Sequence, residues 1–178
     1  QYVNELCDFL VLSVSKKSGL VRNSILGKRI DFCGRAVLIG GSYEIKPDEI
    51  GIPYKMLVKL YEPFILHELY YGKKTDKKSL EKELFDYNST SLSIVSLRQL
   101  LSDIQKGHIL PKGLDDIVIQ CVKETIKDKV VIAKRDPCLH AESVRAYKPV
   151  FVLGDSIKMS PTSCEGHNAD YDGDTMAV

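Results

Sequence analysis

The chain has 178 residues, 44% of them hydrophobic and 28% charged, with a formal net charge of +1. That composition is of an ordinary globular protein and excludes a disordered or collagen-like chain. No apolar run reaches the roughly 18–20 residues of a membrane span, and no secretory leader is visible. Charge is uneven along the chain. Lys16, Lys17, Arg22, Lys28, Arg29 and Arg35 face a single acid, Asp31, across one stretch, whereas Asp170, Asp172 and Asp174 crowd the other end. Five cysteines, odd in number and without a C-x-x-C pair, argue against a zinc site or a disulfide framework and for a reducing compartment. A chain opening on Gln1 and stopping at Val178 reads as a piece of a longer one.

In chain order, residues 4–14 are apolar enough for a short helix or strand, and periodicity does not choose between them. Ser15 to Asn23 is polar and basic and reads as an exposed connection. Ile30 to Gly41 has strand character, with Arg35-Ala-Val-Leu-Ile-Gly-Gly41 as its apolar run. Pro53 suits the first position of a helix carrying Met56, Leu57 and Leu60; Pro63 interrupts it, and a second piece runs to Tyr71.

From Gly72 to Asp128 the pattern is helical and peripheral. Thr75 is a candidate N-cap for the charge-dense stretch Lys73 to Glu83. Leu97, Leu100, Leu101 and Ile104 form a stripe that Gly107 would end, and Leu114, Ile117, Cys121, Val122 and Ile126 form another. Core packing accounts for both stripes. Strand character returns in Lys129-Val-Val-Ile-Ala133, then in Pro149-Val-Phe-Val-Leu153 and Ser156-Ile-Lys-Met159, which Gly154-Asp155 would join as a tight hairpin. Strands at both ends with helices between make an α+β layout, in which sequence-distant strands share one sheet or barrel.

The three aspartates alternate around Tyr171 and Gly173. In a straight strand, residues two apart lie roughly 6.5–7 Å from each other, wide for ligands of one small ion. Gly173 can take backbone angles that let the loop curl. Converging carboxylates repel unless a cation neutralises them, and hard oxygens select magnesium, manganese or calcium. A solvated acidic turn is the bland alternative. A calcium loop is the other, since an EF-hand also opens Asp-x-Asp-x-Asp; but its sixth position wants glycine and here is Thr175. The segment before the aspartates reads as β-like and Met176-Ala-Val178 is apolar, so flanking helices are not expected.

These residues resemble the largest, beta-prime-type subunit of multi-subunit DNA-directed RNA polymerases. That family carries Asn-Ala-Asp-Phe-Asp-Gly-Asp-Gln-Met-Ala-Val, and this chain has Asn168-Ala-Asp-Tyr-Asp-Gly-Asp-Thr-Met-Ala-Val178. Arg22-Asn-Ser-Ile-Leu-Gly-Lys-Arg-Ile-Asp-Phe-Cys-Gly-Arg35 is similar to the family's Arg-x-Asn-Leu-Leu-Gly-Lys-Arg-Val-Asp-Tyr-Ser-Gly-Arg. Gly51-Ile-Pro-Tyr-Lys-Met56 and Glu62-Pro-Phe-Ile65 have counterparts too. Arg135-Asp-Pro-Cys-Leu-His140 is similar to Arg-Ala-Pro-Thr-Leu-His. The blocks stand in the family's order over roughly residues 16–178, with no match apparent between about 72 and 128, which marks that region as particular to this lineage.

The resemblance implies a double-psi β-barrel active-site region with an inserted helical segment. It divides the chain into a connecting segment (1–27), a first barrel part (28–71), the insertion (72–128) and a second barrel part with the metal loop (129–178). It implies that Asp170, Asp172 and Asp174 hold a permanent Mg2+, with a second arriving with the nucleotide. Arg135 and Asn168 would lie near the ribose of the incoming nucleotide, and Arg22, Lys28, Arg29 and Arg35 along template DNA or the hybrid. The bottom-up reading agrees on the last point, because a glycine-bearing basic stretch suits phosphate contacts.

Implied partners are the second-largest subunit with a companion barrel, the rest of the beta-prime-type subunit, template DNA, RNA product and ribonucleoside triphosphates, with no membrane and a cytoplasmic setting. Lys134, Asp136 and Cys138 depart from the family's asparagine, alanine and threonine and put ribose recognition in doubt. His140 reads as structural, and Cys138 and Cys164 as packing residues. The divergence and the Lys/Ile/Tyr-rich composition point to a viral enzyme with split subunits. Two alternatives stand beside DNA-directed synthesis: an RNA-dependent RNA polymerase with a similar loop, and a non-enzymatic metal- or nucleic-acid-binding module.

Overall fold

The computed structural model describes residues 2–14, 30–41, 44–72 and 75–178. The chain divides into two compact units, residues 1–31 and 32–178. In the first, Tyr2–Val14 is an α-helix, α1, which decides the helix-or-strand choice for 4–14 in favour of helix. The basic residues Arg22, Lys28 and Arg29 and the connection from Ser15 to Asn23 lie outside the described residues.

In the second unit six strands close into a barrel: β1 (Arg35–Gly40), β2 (Glu49–Pro53), β3 (Val131–Lys134), β4 (Val144–Val152), β5 (Ile157–Met159) and β6 (Thr175–Ala177). Around the barrel they run β1-β5-β2-β4-β3-β6, and β6 pairs back onto β1. The β1–β5 and β2–β4 pairings are parallel, and the other four are antiparallel. Closure leaves no free sheet edge, so very short strands can be stable here. Side chains alternate as a barrel requires. In β3, Val131 and Ala133 are buried while Ile132 and Lys134 are exposed. Leu38, Ile50, Ile52, Tyr147, Ile157, Met159 and Met176 are buried with them. Gly51 sits where β2 is squeezed between β4 and β5; a Cβ there would come within 2.8 Å of Val152 Cγ1 and 2.9 Å of Lys158 Cβ.

The expected tight hairpin of Pro149–Leu153 with Ser156–Met159 does not form. β4 and β5 do not pair with each other, because β2 lies between them. Gly154 does turn the chain, at φ +104°, but the turn carries it across the end of β2 to a parallel seat beside β1. Strand choice here is set by distant partners and not by the turn. β4 is also longer than its apolar half, because Val144–Tyr147 is stitched to β3 despite carrying Arg145.

Five helices lie between β2 and β3: α2 (Tyr54–Leu60), α3 (Glu62–Tyr71), α4 (Lys77–Asn88), α5 (Ile94–Lys106) and α6 (Lys112–Ile126). Pro53 caps α2 and Pro63 falls in the first turn of α3, where a missing N–H costs nothing. The N-cap of α4 is Asp76 and not Thr75. Its carboxylate accepts from the Lys78 amide and from the Ser79 hydroxyl at 2.6 Å, satisfying donors that threonine one residue earlier does not. In α5, Ser93 and Ser96 cap each other reciprocally, and Gly107 ends the helix at φ +85° as its position predicts. The leucines of both stripes are buried and join the barrel interior in one continuous hydrophobic core. The last helix, α7 (Pro161–His167), stands just before the aspartates, where a β-like segment was expected. A seven-residue helix opening on Ser160-Pro161 is too short to show a helical period in sequence.

Candidate active site

The aspartate loop hangs between α7 and β6. Asn168 ends α7 in the left-handed region, φ +48°, and turns the chain outward; asparagine is one of few residues that tolerate this. At the far end, the Asp174 carbonyl accepts from the Leu38 amide at 2.8 Å, and Val37 pairs with Thr175, so β6 enters the barrel beside β1. Between these anchors, Gly173 at φ +114° supplies the bend, while Asp170, Asp172 and Gly173 are exposed.

Tyr171 pins the loop from its middle. Its hydroxyl donates to the Met159 carbonyl at 3.0 Å and accepts from the Cys164 thiol at 3.0 Å. Burial pushes the pKa of this phenol well above the ordinary tyrosine value. Within the loop, the Tyr171 amide donates to Asp170 Oδ1 at 2.7 Å, and the Asp170 amide donates to Asp174 Oδ2 at 2.9 Å.

Arg135 meets the loop from β3. The β3–β6 pairing sets Lys134 opposite Ala177, which brings the next residue alongside the start of β6. Arg135 Nη2 lies 2.8 Å from Asp174 Oδ2, and both side chains are largely shielded, 17% and 21% exposed. This guanidinium holds the Asp174 carboxyl below its usual range, with the Asp170 amide adding to the effect. Asn168, exposed, lies two residues before Asp170 on the same loop.

Arg35 and Lys134 flank Ala177 from β1 and β3, and Asp136 bridges them, at 2.7 Å to Arg35 Nη2 and 2.8 Å to Lys134 Nζ. The Lys134 ammonium, then Arg35, lowers the Asp136 pKa. All three are about half exposed, so the pairs contribute little to stability. Their consequence is electrostatic: the expected nucleic-acid contact Arg35 carries its own counter-charge.

The structure thus brings Asp170, Asp174 and Arg135 together, keeps Asn168 and Asp172 on the same loop, and sets Arg35 on a neighbouring strand. Among the described residues no three His, Cys, Asp or Glu side chains come close enough to share a metal ion. The donor set itself, three carboxylates on one exposed glycine-bearing loop, has the hard-oxygen chemistry of a magnesium site. Thr175, where an EF-hand loop needs glycine, begins β6, which pairs with β1 and β3 of the barrel.

Cys138, expected as a packing residue, is exposed, its thiol 3.5 Å from the Arg135 carbonyl; Cys164 is buried as expected, and burial raises its pKa. None of the five cysteines is in a disulfide. His140 is exposed, and its carbonyl accepts from the Ser143 amide at 3.1 Å. The fully buried histidine is His167, in the last turn of α7. Neither His167 nor the Tyr171 hydroxyl was singled out from sequence: each differs from its neighbours only in what the fold places against it.

The family model of RNA polymerase Rpb1, domain 2, matches residues 27–178. The chain belongs to that family. The Rpb1 domain 2 match takes in 72–128, where the quoted blocks have no counterpart. The chain is 35% identical over 166 residues to the DNA-directed RNA polymerase subunit beta' of Mycoplasmopsis agalactiae, covering 93% of this chain and 10% of that protein. It is 38% identical over 162 residues to the subunit of the same name in Mycoplasma pneumoniae, covering 91% and 11%. It is 34% identical over 165 residues to that of Thermus aquaticus, covering 93% and 9%. The chain spans about a tenth of the length of these relatives, all three of them bacterial.

Proposed function

We propose that this Rpb1 domain 2 segment is the catalytic barrel of a DNA-directed RNA polymerase, adding ribonucleotides to an RNA 3′ end within a larger assembly. The observation that carries the reading is the Asp170–Asp174 loop, held between α7 and barrel strand β6 and pinned at Tyr171, with Arg135 on Asp174. The barrel is read as the double-psi type, its two parallel pairs β1–β5 and β2–β4 supporting this, with 28–71 and 129–178 contributing its halves around the helical stretch 72–128.

In this reading Asp170, Asp172 and Asp174 hold a magnesium ion. When bound, and joined by a second ion arriving with the nucleotide, it supplies acidification of the 3′-hydroxyl and charge stabilisation at the phosphates. The chain's own residues do the rest. The Tyr171 anchor and the Leu38–Asp174 hydrogen bond keep the loop backbone fixed while the carboxylates stay accessible, the preorganisation on which such chemistry depends. Arg135 orients Asp174 and, with Asn168, lines the place for the ribose. Arg35 is assigned to the template side, contacting phosphates without reading sequence; Arg22, Lys28 and Arg29, to which the family resemblance gives the same role, lie outside the described residues. The working enzyme includes a second-largest subunit and the rest of the beta-prime-type subunit, in a cytoplasmic setting. Among the described residues, no helix is long and apolar enough to cross a membrane.

The test is template-dependent RNA synthesis by the purified assembly, wild type against Asp172→Ala, with DNA and RNA templates compared. Synthesis on DNA that Asp172→Ala abolishes while assembly persists is the expected result. Preference for RNA templates would transfer the chain to RNA-dependent synthesis, and unchanged synthesis by Asp172→Ala would leave only a binding module.

A further inference from the structure

His167 takes no part in the chemistry above, yet it is fully buried and both ring nitrogens are engaged. Nδ1 lies 3.2 Å from the Ser143 carbonyl oxygen, which can only accept, so Nδ1 carries the proton. Nε2 is then the free lone pair, and the Tyr147 hydroxyl donates to it at 2.8 Å. The ring is thereby fixed in one tautomer and one orientation.

The Ser143 carbonyl has a second donor. The backbone amide of Arg135 reaches it at 3.4 Å. From Arg135 the path continues through the guanidinium to Asp174, and from Asp174 Oδ2 to the Asp170 amide. Asp170 lies three residues beyond His167 on the same chain, with Asn168 directly after the histidine. The contacts therefore close into a ring: His167, Ser143, Arg135, Asp174, Asp170 and back along the loop. One side of the ring belongs to the β3–β4 connection and the other to α7 and the aspartate loop.

We infer that His167 is a positioning residue: through the Ser143 carbonyl it fixes Arg135 relative to Asn168 and the aspartate loop, and so sets the recognition of the incoming ribose. This rests on the polymerase reading of the loop. The physical basis is that both candidate ribose contacts hang from elements that His167 joins. Arg135 follows a four-residue strand, and Asn168 ends a seven-residue helix. Neither element is long enough to hold its end rigidly alone, and an error of about 1 Å at such a site costs on the order of a hundredfold.

Two substitutions separate positioning from mere packing. An asparagine amide stands near the place of Nδ1 and can still donate to Ser143; a glutamine amide reaches toward Nε2 and Tyr147 instead. The experiment measures, in the assembled polymerase, KM and kcat for a ribonucleoside triphosphate and for its 2′-deoxy counterpart. His167→Gln is expected to raise the ribonucleotide KM five- to tenfold and to lower ribo-over-deoxy discrimination by a similar factor, with kcat changed less than threefold. His167→Asn is expected to recover most of both losses.

Equal impairment by the two variants, or a glutamine variant within twofold of wild type, overturns the inference. Failure of both to assemble also overturns it, because it would show a purely structural role; if only His167→Gln fails, His167→Phe takes its place on the same readouts. An inactive wild-type assembly would count against the polymerase reading itself, which keeps the two failures distinct.

Discussion

The barrel seam and the helical layer between β2 and β3 solve different problems with the same core. In α4, α5 and α6 the buried positions are mostly apolar, among them Leu80, Leu97, Leu100 and Leu114 at 0% exposure, with Asp103 as a buried acid. At the seam where β6 meets β1 and β3, the chain spends its residues on charge: Asp174 against Arg135, with Asp170 and Asp172 on the same loop, and Asp136 against Arg35 and Lys134. A helix layer held by apolar area can lose one contact and stay in place. A carboxylate loop held by a tyrosine hydroxyl, two backbone hydrogen bonds and a guanidinium cannot lose its charges and keep its chemistry. Stability and function are therefore expected to fail separately under mutation in the two regions.

The largest effect should come from the loop. Asp170→Ala is expected to cut RNA synthesis by at least about a thousandfold, the upper end of what losing one transition-state-stabilising donor costs, while the thermal midpoint of the assembly stays within a few degrees. Leu100→Ala is the mirror case: a loss of about 2–5 kcal/mol in unfolding free energy, the usual cost of truncating a buried leucine, with synthesis per folded molecule unchanged. A Leu100 variant that folds normally but fails in catalysis would break the division between the regions.

Smaller effects sharpen it. Tyr171→Phe keeps the ring and removes the hydroxyl that joins Met159 and Cys164, an expected cost of about 1 kcal/mol, read in denaturant unfolding. Weaker still is a pH effect from His167. Burial holds its pKa below the ordinary imidazole value of about 6.5. As pH falls below that value, the unfolded chain takes up a proton that the folded chain resists, so stability is full above it and declines toward the folded pKa. The thermal midpoint should drop between pH 7 and pH 5, and His167→Asn should flatten that drop.

The two regions also differed in how far the sequence could reveal them. Leu97, Leu100, Leu101 and Ile104 repeat at helical spacing, and Gly107 stops the helix by a local backbone preference, so α5 was readable to its last residue. Local rules suffice where local contacts decide. The seam obeys distant ones. Gly154-Asp155 looked like a hairpin, yet β5 pairs with β1 and β2, an outcome no turn residue encodes. The aspartates, Arg135 and Arg35 were legible as residue types because their chemistry is distinctive. That Asp136 would neutralise Arg35, and that His167 would tie Ser143 to Tyr147, follows only from strand register and the packing of α7.

The most direct measurement of the central claim is cation binding at the loop, read without turnover. Electron paramagnetic resonance of Mn2+ titrated into the assembled enzyme should show a tight site in the wild type that Asp172→Asn removes while the assembly and its thermal midpoint are kept. A tight site that survives that substitution would place the cation elsewhere and contradict the account.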